Sequence, residues 1–182
     1  MLYLGYSVDF PTYRFKMERD KVNMESTVTL SFFNEQYKQA VTDYIIEEIQ
    51  FTGHPSEAVE LAEKEPDRHA ILILHGQALV GFFVLHGRGG AKKYTDDQHA
   101  LLLRTFSIDT RHQGKGYAKQ AMKQLPDFVR TNFPDIERVV LGVNHANHPA
   151  QNLYLRNGFS DTGRSVIGAH GEQYVFEQLI HC

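Results

Sequence analysis

Phe106-Ser107-Ile108-Asp109-Thr110-Arg111-His112-Gln113-Gly114-Lys115-Gly116-Tyr117-Ala118 joins an apolar run to a helix through a turn holding two glycines. The run over residues 100–108 reads as a strand. The stripe Ala118, Ala121, Met122, Leu125, Val129 marks a helix to about residue 132, with Pro126 inside it and expected to kink it. The first N–H groups of a helix lack internal partners, and the aligned peptide dipoles make that end positive. Glycines allow a bulky anion to approach the backbone, and Lys115 and Lys119 add charge beside it. The segment therefore reads either as a phosphate cradle or as a tight turn that simply requires glycine. It is not a P-loop, since no Gly-Lys-Ser/Thr closes it, and the third glycine of the dinucleotide fingerprint is missing.

Outward from this turn the pattern is regular. Residues 27–33 form a β-branched and aromatic strand. Asn34 is placed to cap a helix carrying Tyr37, Val41, Tyr44, Ile45 and Ile49 at helical spacing. Residues 52–55 break that helix, and Pro55 or Ser56 opens a second to about Glu65. Residues 70–74 and 78–85 make a hairpin across His75-Gly76-Gln77. A glycine-rich loop with Gly87, Gly89 and Gly90 leads to the strand ending at Ile108. Beyond the central helix come a strand at 139–143, a helix at 148–156, and a final strand pair around 168–171. The order β-α-α-β-β-β-α-β-α-β-β predicts a mixed α/β sheet flanked by helices, with parallel pairing at the strand bracketed by crossovers. Residues 1–25 are aromatic-rich and stand apart as an N-terminal extension of unassigned role, with Met24 a candidate start. Residues 26–182 form one domain, as expected for a chain of 182 residues.

Composition excludes several classes. Hydrophobic residues make up 42% and charged residues 23%, a globular balance without repeats. No apolar run reaches the roughly 18 residues of a membrane span, and the start lacks a secretory pattern. A single cysteine, Cys182, excludes an internal disulfide and fits a reducing, cytoplasmic setting. A net charge of −3 and no basic-aromatic stripe speak against nucleic acid as a partner. The charge is uneven. Residues 34–67 hold nine acids against two lysines, and residues 111–130 hold five bases against Asp127. These are either two solvated helix faces or a bipolar molecule, its cationic end for an anionic ligand and its acidic end for a cationic one. The ten histidines include His145 and His148 three apart, but no zinc motif accompanies them and no metal is expected.

The second informative segment runs from Asn144 through His145, Asn147, His148, Pro149, Ala150, Leu153 and Tyr154 to Gly158 and Phe159. Asn147 fits an N-cap, Pro149 the first turn and Gly158 a helix stop. Taken together, the two segments resemble the GCN5-related N-acetyltransferase (GNAT) superfamily. Its first signature, Gln/Arg-x-x-Gly-x-Gly/Ala, matches Gln113-Gly114-Lys115-Gly116-Tyr117-Ala118. Its second, Asn-x-x-Ala-x-x-Leu-Tyr followed by Gly-Phe, matches Asn147, Ala150, Leu153, Tyr154, Gly158 and Phe159.

The resemblance implies the acyl-CoA N-acyltransferase fold, a mostly antiparallel mixed sheet with a V-shaped splay. It implies acetyl-CoA as co-substrate, with pyrophosphate on Gln113, Gly114, Lys115, Gly116, Tyr117, Ala118 and Lys119. The pantetheine arm would pair like an extra strand along Phe106, Ser107 and Ile108 and touch Asn147, and Tyr154 would act as general acid toward the leaving thiolate. The resemblance also implies direct attack by a primary amine, with a backbone N–H near Ser107 or Ile108 meeting the oxyanion. Several members place a glutamate base five positions before the Asn. That position is Gly142 here, and His112, Asn144 and His145 are the nearby alternatives. The acidic stretch lies where the family places its acceptor-binding helices, which favours a small cationic acceptor such as a polyamine or an aminoglycoside-like amine. A catalytically weak acyl-CoA-binding sensor is the rival reading, and a homodimer is left open.

Overall fold

The computed structural model describes residues 27–47, 52–168 and 171–180; the N-terminal extension and Cys182 lie outside the described residues. Among the described residues there are seven strands: β1 (Val28–Phe32), β2 (Arg68–His75), β3 (Ala78–His86), β4 (Ala100–Ile108), β5 (Arg138–Asn144), β6 (Ser160–Gly168) and β7 (Gly171–Leu179). They form one sheet in the order β1-β2-β3-β4-β5-β7-β6. The helices are α1 (Lys38–Thr42), α2 (Pro55–Lys64), α3 (Arg88–Ala91), α4 (Tyr117–Asn132) and α5 (His148–Leu155). Every pairing is antiparallel except β4 with β5.

β3 reads as a nearly unbroken apolar run because helices cover both faces of the sheet there. On one face, Phe83, Leu85, Leu101 and Leu103 pack with Ala121, Met122, Leu125 and Val129 of α4. On the other, Phe82 and Val84 pack with Val41 and Tyr44 from the α1 region and with Ala58 and Val59 of α2. Burying one such large side chain contributes about 1.5–3 kcal/mol, so the two layers together fix the helices on both faces of the sheet. α4 is also tied to the edge strand. Val28 N–H donates to Gln120 Oε1 at 3.0 Å, and the Gln124 amide donates to the Val28 carbonyl.

Two expectations are corrected by local chemistry. Asn34 does cap, accepting from Gln36 N–H at 3.2 Å, but a 3-10 turn (Glu35–Tyr37) follows, and the helix ends at Thr42. Tyr44 and Ile45 leave the helix because tertiary partners claim them, as described below. The glycine loop after β3 holds the extra short helix α3. α4 continues through Pro126 as one element.

The decisive feature is where β4 and β5 part. They pair in parallel over Ala100–Leu102 and Arg138–Val140 and no further. Thr105 sits at φ +54, and the β3–β4 register shifts between Phe82 and Val84. Such a bulge bends its strand and re-aims side chains. Beyond it, Phe106 and Ile108 pack on the α4 side, while Ser107 faces Tyr44.

Candidate active site

Past Leu102, the side of β4 that faced β5 has no strand partner. Backbone N–H and C=O groups left this way are ready to pair with an extended ligand. The gap opens into a cavity of about 560 Å³. Its floor is β4 from Leu103 to Ile108, and one wall is Leu141 to Asn144 of β5. Asn147, Ala150, Leu153 and Tyr154 form another wall, and the start of α4 closes the wide end.

At that wide end, Gly114 and Gly116 take left-handed conformations, φ +74 and +78. A Cβ built on either would meet nothing within 4 Å. Gly116 caps α4 without a side-chain hydrogen bond, so the first amides of a 16-residue helix point into open space. Lys119 stands on the cavity wall; Lys115 is exposed and lies off it. Asn147 caps α5, its Oδ1 accepting from Ala150 N–H at 3.1 Å, and its side chain borders the cavity. Those residues fit an anion with an extended arm, which is the shape of a coenzyme A thioester.

Tyr154 is 7% exposed and packs edge-on against Phe106 and Phe159, with centroids 6.2 and 5.5 Å away. Its hydroxyl makes no hydrogen bond among the described residues, while the residue borders the cavity. Burial pushes its pKa above the ordinary phenol value.

The turn after β4 is held by a group that sequence reasoning missed. Asp109 is fully buried and accepts from Arg111 N–H (2.9 Å), Arg111 Nε (2.8 Å) and Ile45 N–H (3.2 Å), with a further bond from the outer Arg111 nitrogen. Burial alone would raise its pKa, but the Arg111 guanidinium and the two amides outweigh this and hold it below the usual carboxylate value. Arg111 also donates to the Asp43 carbonyl at 3.0 Å, and Thr110 N–H to the Ile45 carbonyl at 2.9 Å. Tyr44 meets Ser107 at 3.1 Å, and His54 Nε2 donates to the Tyr44 carbonyl at 2.9 Å while its Nδ1 accepts from Ser56 N–H. The segment after α1 is thereby fastened to the end of β4, beside the cavity. An acid directly before a Gly-rich turn was the signal that could have revealed this clamp.

Asp109→Asn is expected to destabilise the fold by about 1–3 kcal/mol at neutral pH, through donors left without a charged acceptor. Because folding depresses this pKa, the stabilisation is complete above the unfolded value of about 3.9 and vanishes as pH falls through the lower folded value. Urea midpoints of parent and variant should differ at pH 7 and converge in acid. Equal midpoints at pH 7 would mean that the clamp contributes nothing.

Residues 31–159 match the acetyltransferase (GNAT) family. The chain belongs to that family. It is also similar to the uncharacterized N-acetyltransferase YbbJ of Bacillus subtilis (strain 168), at 36% identity over 160 residues, covering 86% of this chain and all of YbbJ. Among solved structures it resembles the aminoglycoside acetyltransferase AAC(6')-Ib in complex with paromomycin and acetyl-CoA. The TM-score there is 0.68 at 15% identity, covering 84% of this chain and 93% of that one. The spermidine N-acetyltransferase of Vibrio cholerae, in complex with CoA and spermine, gives 0.65 at 19% identity, covering 85% and 96%. Both likenesses concern the fold.

For this GNAT chain the candidate bases fall out differently from expectation. A Cβ at Gly142 would stand 2.6 Å from Tyr94 Cε1 and 2.6 Å from Gln173 Oε1, so any larger residue at that position requires those two side chains to move. His145 stacks on Tyr174 at 3.7 Å and does not line the cavity. His112 and Asn144 do line it, Asn144 with its Oδ1 accepting from Ala146 N–H. No Asp or Glu among the described residues borders the cavity, and Glu47, Glu57 and Glu60 lie off its wall. Away from the cavity, Glu65, Asp67 and His86 bring donor atoms within 4.8 Å of one another, with Arg68 Nε donating to Glu65 Oε2 at 3.1 Å. No helix among the described residues is long and apolar enough to cross a membrane.

Proposed function

We propose that the chain transfers an acetyl group from acetyl-CoA to a primary amine of a small molecule by direct attack. Family membership makes it an acetyl-CoA-dependent N-acetyltransferase; acceptor and mechanism are the proposal. The observation that carries the site is the unpaired stretch of β4 running from the open amides at Gly114 and Gly116 to the buried Tyr154 hydroxyl. The thioester supplies an activated acyl carbon. Gln113 to Lys119 would hold the diphosphate, Phe106 to Ile108 and Asn147 the arm, and a backbone N–H near Ser107 or Ile108 the developing oxyanion. The structural neighbours that bind spermine and aminoglycosides support a small amine. The acidic residues after Asn34 would act on a cationic acceptor only at long range, over a screening length of about 8 Å.

Attack requires a neutral amine, whereas an ordinary alkylammonium has a pKa of about 10.4. With no carboxylate on the described wall, neutral acceptor is drawn from solution. Amine kcat/KM should then rise about tenfold per pH unit between pH 7 and 9. A profile already flat at pH 7 would instead require a base on the wall, with His112 the first to test.

Release of free CoA thiol from acetyl-CoA, measured with and without a panel of primary amines, tests the main reading. Amine-dependent release is expected. Tight CoA binding with no release for any amine would favour the sensor, which the lack of a wall carboxylate makes the second reading.

A further inference from the structure

The register across the splay singles out one cation. Ala100, Leu101 and Leu102 pair with Arg138, Val139 and Val140, so the next positions on the face of Leu102 and Val140 are Arg104 and Gly142, at the second open rung. Arg104 lies opposite Val84 on β3, which puts it on the face covered by α1 and α2. It borders the cavity at the narrow end, opposite the phosphate cradle. Among the described residues its guanidinium makes no hydrogen bond and no ion pair. Glu65, the carboxylate that acts on it through space, is itself held by Arg68 at 3.0 Å. Arg104 is exposed to solvent through the cavity mouth; partial desolvation first, and the Arg68 charge second, lower its pKa.

Its surroundings complete a donor pair. Gln173, also on the cavity wall, accepts from the Tyr94 hydroxyl at 3.3 Å through Oε1. That bond fixes the amide and leaves its N–H₂ without a partner among the described residues. The glycine at 142 is what admits Tyr94 and Gln173 to this place. With glycine at 142, a planar five-donor cation and an amide donor border the cavity with no carboxylate on its described wall.

We infer that Arg104, seconded by Gln173, binds a carboxylate carried by the acceptor, so that the substrate class is an amino acid or a related amino carboxylate. This rests on the transferase reading and deepens it. A guanidinium matches a carboxylate with two parallel N–H···O bonds, which an ammonium cannot do. A polyamine would bring only positive charge to a described wall that carries Arg104 and Lys119 and no Asp or Glu.

The test compares acceptors that present the same amine with and without the carboxylate: lysine, lysinamide and cadaverine, and glycine against glycinamide. The readout is amine-dependent CoA release by parent, Arg104→Gln and Arg104→Lys. In the parent, the amino carboxylate of at least one set should exceed its carboxylate-free partners in kcat/KM by about 10- to 100-fold, the range for a charged hydrogen bond. Arg104→Gln should collapse that ratio toward one by raising acceptor KM, with acetyl-CoA KM unmoved; Arg104→Lys should restore part of it. If cadaverine and the amides turn over as well as the carboxylates, or the ratio survives in Arg104→Gln, the inference is overturned while the transferase reading stands. If no acceptor supports release although CoA binds, the transferase reading falls and this inference with it. A thermal melt of each variant checks folding, and a ratio of substrates measured on one protein is insensitive to the amount folded.

Discussion

Tyr154→Phe is expected to lower kcat by about a hundredfold with acetyl-CoA affinity little changed. General acid help is worth about 10²–10⁴ in rate, and the low end applies because a thiolate is a tolerable leaving group. The ring packs on Phe106 and Phe159, and phenylalanine keeps both contacts, so the fold survives the change. The buried site refines the role that the motif implies. Raised by burial, the phenol stays protonated throughout the working pH range and is a weaker acid than in water. Against a thiol of pKa about 8.5, full proton transfer from it is uphill. On the proposed reading the hydroxyl would therefore act chiefly by donating a hydrogen bond to the sulfur as charge builds there, and kcat should show no loss on the alkaline side from ionisation of this phenol. Unchanged kcat in Tyr154→Phe across the pH range would reduce Tyr154 to a packing residue.

Gly116→Val should weaken CoA binding by about a hundredfold or more, equivalent to about 2.7 kcal/mol. Two effects act together. At φ +78 a β-branched residue is strained, so the turn must rearrange and turn the first amides of α4 away. The added atoms also project into the open space that a diphosphate would fill, since nothing of the protein lies within 4 Å of that Cβ. Calorimetric titration with CoA measures it directly. Gly53, which likewise has nothing within 4 Å of an added Cβ but lies off the cavity wall, is the matched control for a substitution into open space. A parent-like affinity in Gly116→Val would remove the cradle from this turn.

What could be read in the chain was local. The strand–turn–helix at Ile108 to Tyr117, the hairpin at Gly76 and the cap at Asn147 each follow from the conformational needs of a few neighbouring residues. The places where that reading failed all depend on distant partners. Tyr44 and Ile45 continue a helical spacing, yet Ser107 and Asp109, more than sixty residues away, draw them out of the helix. Arg104 drew no attention in the sequence, because its place on the cavity wall depends on where the β4–β5 pairing stops, which alternation along one strand cannot reveal. Gly142 was legible as a missing glutamate, but the side chains that occupy the space beside it, Tyr94 and Gln173, come from two other parts of the chain.

The brief contact between β4 and β5 has a thermodynamic consequence. Three rungs stitch the β1–β4 half to the β5–β7–β6 half, helped by the shared core and by a few polar bonds from the segment before β4, such as Arg138 with Asp97 and Tyr94 with Gln173. Amides along such a seam open at a fraction of the global unfolding cost and exchange with deuterium sooner than those of β2 or β3. A ligand lying in the seam bonds both banks, so occupancy is converted into cohesion between the halves. At a concentration one hundred times its dissociation constant it adds about 2.7 kcal/mol, which for a chain of this size lifts the melting temperature by about 5–11 °C. Cells holding plentiful coenzyme would thus keep this protein in its more durable, slowly exchanging form, and depletion of the coenzyme would shorten its life before it limited its turnover.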